Sequence, residues 1–120
     1  MANFALYLQS DTYASPTLAS CLRFAKAALA SGHQIDHIFL YQAAVQAVIA
    51  GADLPTDEPD QAGALADFCQ QQQIPLLYCV TAAEKRGVAS KHRPARAGYT
   101  AAGLAEFAIR LAQVDRLIQF

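Results

Sequence analysis

The chain has 120 residues, 54% of them hydrophobic and 16% charged, with a formal net charge of −1. That length and apolar content suit one core, so a single domain over residues 1–120 is expected. The near-neutral charge gives no global attraction to nucleic acid or anionic membrane, so neither is expected as a direct partner. No apolar stretch approaches the roughly 20 residues of a membrane helix. Met1-Ala2-Asn3 carries no basic leader region, and Phe4–Leu8 is too short for a leader core. The three cysteines are widely spaced and do not make a disulfide framework, which points to a reducing cytoplasm.

Four apolar runs read as strands: Phe4–Leu8, Ile35–Tyr41, Leu76–Val80 and Arg116–Phe120. Helical patterns lie between them. Pro16 suits a first helical position with Ser15 as its cap, and Leu18, Leu22, Ala25 and Leu29 mark an apolar face until Gly32 stops it. Gln42–Ala50 reads as a second, weaker helix ended by Gly51, and Leu54–Pro59 as a polar loop. Asp60–Gln73 reads as a third helix with Leu65, Phe68 and Cys69 inward. Thr81–Arg86 is a short fourth. Ala101–Gln113 is a fifth, with Leu104, Phe107, Ala108 and Leu111 at helical spacing. Residues 88–100 have no clear period and read as a long loop or one short extra strand. Strands alternating with helices predict an α/β three-layer sandwich. Its sheet is mostly parallel, of four to five strands, with helices on both faces and right-handed crossovers.

In such sheets chemistry gathers at the carboxyl ends of the strands. Gln9–Ser15, Tyr41–Val45 and Cys79–Thr81 meet that condition, and the polar Ser10–Ser15 loop is a candidate wall of a pocket near Cys79. Cys79 ends the run Ile74-Pro75-Leu76-Leu77-Tyr78-Cys79-Val80 and meets Thr81-Ala82-Ala83-Glu84-Lys85-Arg86-Gly87. Thr81 suits an N-cap, and Glu84 three residues later completes a capping-box pattern. A thiol there would meet unpaired N–H groups and the positive charge of Lys85 and Arg86, both of which favour the nucleophilic thiolate. Cys79 is therefore the candidate catalytic residue; a buried, inert thiol is the alternative.

Taken together, several segments resemble the DsrE/TusD sulfurtransferase subunits. They are Leu77-Tyr78-Cys79-Val80-Thr81-Ala82-Ala83 with Arg86-Gly87-Val88, and Ala30-Ser31-Gly32-His33 leading into Ile38-Phe39-Leu40-Tyr41. Tyr99-Thr100-Ala101-Ala102-Gly103-Leu104 and the ending Val114-Asp115-Arg116-Leu117-Ile118-Gln119-Phe120 complete the set. The resemblance implies small α/β subunits joined with like-folded sisters in hexamers. It also implies that Cys79 carries sulfur as a persulfide. The sulfur would come from a TusA-like donor and pass to a TusE/DsrC-like acceptor, serving tRNA wobble-uridine 2-thiolation or sulfur oxidation. After the second strand the family often has a charged residue and a Gly, where this chain has Gln42-Ala43-Ala44-Val45.

Cys21 and Cys69 fall on apolar helix stripes and read as core. His33, His37 and His92 do not space like ligands, so no metal is expected; no phosphate loop exists, so no nucleotide cofactor is expected either. Lys85, Arg86, Lys91, Arg93 and Arg96 form a basic stretch that suits an acidic carrier or a sister subunit. The Ala-rich Gln42–Ala52 stretch is a candidate association surface. Two rivals to sulfur transfer are a non-catalytic interaction subunit and a flavodoxin-like small-molecule module using the Ser10–Ser15 loop.

Overall fold

A computed structural model describes all 120 residues. Five strands form one sheet: β1 (Asn3–Leu8), β2 (Gln34–Leu40), β3 (Leu76–Cys79), β4 (Thr100–Ala102) and β5 (Arg116–Gln119). Their order is β4-β3-β2-β1-β5, and every neighbouring pair is parallel. The helices are α1 (Thr17–Ala30), α2 (Gln61–Gln72), α3 (Val80–Lys85) and α4 (Leu104–Leu111), with a 3-10 helix over Gln42–Val48. The expected parallel α/β sandwich is present. No helix is long and apolar enough to cross a membrane.

Strand order divides the two faces. β1 to β4 step one way across the sheet, and the connection through α4 returns from β4 to the opposite edge at β5. Crossovers share one hand, so the return places α4 on the face opposite α1. Ring contacts agree: Phe4 meets Phe24 of α1 edge-on at 5.3 Å, whereas Phe107 of α4 stacks on Phe39 at 4.4 Å.

The α1/α2 face is sealed. Leu6, Leu8, Ile38, Leu40 and Leu65 are fully enclosed, with Leu18, Cys21, Ala25 and Ala28 of α1 packed among the buried residues. Each such Leu or Ile withdrawn from water contributes about 1.5–3 kcal/mol. The loop after α3 is pinned to α2: the Tyr99 hydroxyl donates to the Ala62 carbonyl at 2.7 Å. Gly98 allows that approach, because it has φ +94° and an added Cβ would lie 2.9 Å from the Ala66 Cβ.

Four local expectations need correction. Pro16, not Ser15, holds the cap position of α1, and the Ser15 hydroxyl donates instead to the Asp11 carbonyl at 2.7 Å. Gln42–Val48 is a 3-10 helix packed against α3 and β3, and it buries Ala44, Val45, Ala47 and Val48 to 1% exposure or less. Those side chains are core, so this stretch does not offer the association surface expected of it. The predicted helix over 101–113 gives up its first residues to β4, where β3 recruits Ala101 and Ala102 by ladder pairing. Its apolar stripe is also poorly covered. Leu104 is 48% exposed and Ala108 is exposed, while Phe107 and Leu111 are half-buried.

Candidate active site

Cys79 is the last residue of β3 and the cap of α3, with an extended backbone at φ −71° and ψ 115°. Its Sγ accepts from the Ala82 backbone N–H at 3.5 Å. The predicted capping box is absent, because α3 begins at Val80 and leaves Thr81 inside its first turn. A cap needs extended backbone and a side-chain acceptor facing the free N–H groups. The end of β3 supplies the backbone, and the thiol supplies a weak acceptor. The candidate nucleophile is thus itself the helix cap.

Cys79 is 1% exposed, yet it lines a cavity of about 200 Å³ at the carboxyl edge of the sheet. Tyr41 and Gln42 enter from the end of β2, and Thr81, Ala82, Lys85 and Arg86 from α3. Leu104 joins them because Cys79 pairs with Ala102, which sets the start of α4 beside the thiol. Gln42 has φ +52°, a left-handed conformation that side-chain-bearing residues other than Asn and Asp seldom adopt. Such strain costs about 1–3 kcal/mol and clusters at functional sites. Its Oε1 accepts from Arg86 Nη2 at 3.5 Å. The bland-looking segment after β2 therefore contributes a cavity wall. Gln42 lies in Tyr41–Val45, one of the strand carboxyl ends expected to gather chemistry; its αL backbone is what the sequence does not announce.

No histidine and no carboxylate lines this cavity, so a Cys–His dyad is not formed. His33 accepts from the Ala2 N–H through Nδ1 at 2.9 Å, and His92 lies in the exposed loop. His37 is fully buried on β2, with Nδ1 2.7 Å from Asp36 Oδ2 and its ring edge-on to Phe107. The β-bulge between the Phe4 and Ala5 pairings leaves Asp36 unpaired beside it.

The other two cysteines differ from Cys79 in place. Cys21 and Cys69 line no cavity. Burial pushes the Cys69 thiol up to about 12, and burial followed by the neighbouring Cys69 pushes Cys21 higher still. Both are held as thiols, which are poor nucleophiles.

The Ser10–Ser15 loop does not reach the Cys79 cavity. Thr12 and Tyr13 line instead a small cavity of about 60 Å³ beside Asp60 and Arg96. Arg96, expected in the basic stretch, is ion-paired with Asp60, whose other oxygen accepts from the Gly63 N–H at 3.1 Å and caps α2. Arg93 Nη1 donates to the Gly87 carbonyl at 2.7 Å. The basic stretch is therefore not one patch. Only Lys85 and Arg86 reach the thiol cavity, and neither is in an ion pair.

A parallel α/β sheet with one cavity-lining thiol at its carboxyl edge, flanked by cations, is an arrangement suited to thiol chemistry. Comparison with known proteins narrows that reading. The model of the DsrE/DsrF-like family matches residues 2–120, and the chain belongs to that family. It is 31% identical to the sulfurtransferase TusD of Enterobacter sp. (strain 638), with 98% of each chain covered. Identity is 33% to the TusD of Erwinia tasmaniensis, again with 98% of each covered. The crystal structure of the ychN protein from E. coli matches with a TM-score of 0.82 at 24% identity, covering 100% of both chains. That likeness concerns the fold.

Proposed function

We propose that this chain is a sulfurtransferase subunit of a sulfur relay, and that Cys79 is its sulfur carrier. One observation carries the assignment of the residue: of three buried cysteines, Cys79 alone lines a cavity. The names of the relatives support the activity.

The chemistry needs no metal or organic cofactor. The Cys79 thiolate attacks the outer sulfur of a donor persulfide. A new S–S bond forms, the donor's S–S bond breaks, and the donor leaves as a thiolate. The proton on the transferred sulfur stays with it. In the second half, an acceptor thiolate attacks the outer sulfur of Cys79–S–SH, and the electron pair of the broken bond returns to Cys79 Sγ. Sulfane sulfur moves and nothing is oxidised overall. The Ala82 N–H that faces Sγ is placed to orient the leaving sulfur.

Like-folded sister subunits, arranged as a hexamer, are the proposed assembly. A TusA-like donor and a TusE/DsrC-like acceptor are the proposed exchange partners. The uncovered α4 face supports association, with Ile109 68% and Leu117 46% exposed. The relay would serve tRNA wobble-uridine 2-thiolation or sulfur oxidation, in the cytoplasm. The 1% exposure of Cys79 favours a second reading, an interaction subunit with an inert thiol. Limited alkylation at neutral pH with peptide mapping separates the two. Preferential labelling of Cys79 is expected, and preferential labelling of Cys21 or Cys69 would overturn the assignment. Cys79→Ser should lose sulfur uptake while its thermal melt stays close to that of the parent.

A further inference from the structure

Two cations stand at the Cys79 cavity without partners of opposite charge. Lys85 and Arg86 line it, no carboxylate does, and neither joins an ion pair. Glu84, next to them on α3, lies on another side, lining a separate depression with Tyr78 and Lys91. Arg86 is held by Gln42, whose left-handed backbone is maintained at the cavity wall. Three other cations are tied down, Arg96 by Asp60, Arg110 by Glu106 and Arg93 by the Gly87 carbonyl, whereas Lys26 and Lys91 are also without an ion pair but do not line this cavity.

We infer that Lys85 and Arg86 form an anion-recognition subsite that selects a sulfur donor or acceptor bearing a carboxylate close to its thiol. Gln42 is a positioning residue acting through Arg86. The inference rests on Cys79 as the sulfur carrier and adds what its exchange partner must look like. The acceptor enters as a thiolate and the donor leaves as one, so in each half-reaction the partner bears negative charge on sulfur. A second negative group beside it would meet the cations while the sulfur reaches Sγ past the apolar wall of Tyr41 and Leu104. Uncompensated cations around a cleft also raise the local concentration of such an anion.

The test compares Cys79 alkylation by iodoacetate, an anion, with alkylation by neutral iodoacetamide. Changes in the thiol itself affect both rates, so their ratio isolates attraction of the anion. In the double variant Lys85→Gln/Arg86→Gln the ratio should fall about three- to tenfold at low ionic strength, the scale of two exposed charge contacts. Salt of about 1 M should lower the parent ratio similarly. Lys85→Arg and Arg86→Lys should retain it, and Gln42→Ala should lower it by less than the double variant does. An unchanged ratio in the double variant overturns the inference.

A second arm loads Cys79 from glutathione persulfide and follows transfer to two cysteine peptides, one with flanking Asp and one with flanking Gln, and to glutathione. Faster transfer to the Asp peptide, lost in the double variant, supports the inference. If the Asp peptide outruns glutathione, the carboxylate belongs to a protein segment; the reverse order assigns it to a small thiol. Equal peptide rates overturn the inference while leaving Cys79 as carrier. No sulfur on Cys79 overturns both.

Discussion

The two faces of the sheet are built from similar apolar sequence and covered very differently. On one, α1 and α2 pack together over Leu6, Leu8, Ile38 and Leu40 and leave all four fully enclosed. On the other, the eight-residue α4 contributes no buried residue and leaves Leu104, Ile109 and Leu117 in water. It is held mainly by Phe107, which stacks on Phe39 at 4.4 Å and on Tyr7 at 5.5 Å. The closed face is where stability is made. The open face meets the thiol cavity through Leu104 and is where partners are to be sought.

The largest expected effect lies on the closed face. Leu65→Ala should cost about 3–5 kcal/mol in urea unfolding, whereas Ile109→Ala on the open face should change stability by no more than about 0.5 kcal/mol. Similar losses at the two positions would erase the contrast. Phe107→Ala should fall between them, at about 2–3 kcal/mol, because the ring is only half-buried.

Next in size is a pH effect under α4. Burial lowers the pKa of His37 from its ordinary 6.5, against the opposing pull of the Asp36 hydrogen bond and charge; Arg110 also lowers it and Glu106 raises it. The folded state therefore keeps His37 neutral while the unfolded chain takes up a proton near pH 6.5. Stability contributed by this site is present above that pH and is lost as pH falls towards the lowered folded value, at up to about 1.4 kcal/mol per pH unit. Unfolding curves between neutral and mildly acidic pH should show the loss, and His37→Gln should flatten it. An equal slope in the variant would place the titration elsewhere.

The smallest effect on stability should come from Ile109→Asp, within about 0.5 kcal/mol. Its effect on association should be large. Light scattering should find the parent chain associated and the variant shifted towards monomer. A parent that is monomeric both alone and with its co-expressed sisters would leave the open face without the proposed role.

The legible parts of the chain were those fixed by local chemistry. Four strands could be read because Phe4–Leu8, Ile35–Tyr41, Leu76–Val80 and the terminal run are short and apolar. α1 could be read to its end because Gly32, at φ +84°, stops it. β4 could be read only as an optional short strand within 88–100, since Thr100-Ala101-Ala102 becomes a strand through pairing with β3. The Cys79 cap was hidden by a competing local pattern: Thr81 and Glu84 spell a capping box that the strand's length overrides by starting α3 at Val80. Periodicity marked the apolar stripe of α4, but a stripe does not say whether its cover comes from the same chain. For the same reason the buried alanines after β2 looked like an interface. Cys79 itself stood out because a thiol at a strand's carboxyl end is positional information. Gln42 was legible only as part of the strand carboxyl end Tyr41–Val45, and Leu104 was not, since the pairing of Cys79 with Ala102 brings it to the thiol.

Cys79 as the sole sulfur carrier is tested most directly by loading the protein with isotopically labelled sulfane sulfur from glutathione persulfide and mapping the label to a peptide. The label should lie on the Cys79 peptide, be absent from Cys79→Ser, and leave when an acceptor thiol is added. Label on Cys21 or Cys69, or no label on any cysteine, would contradict the assignment.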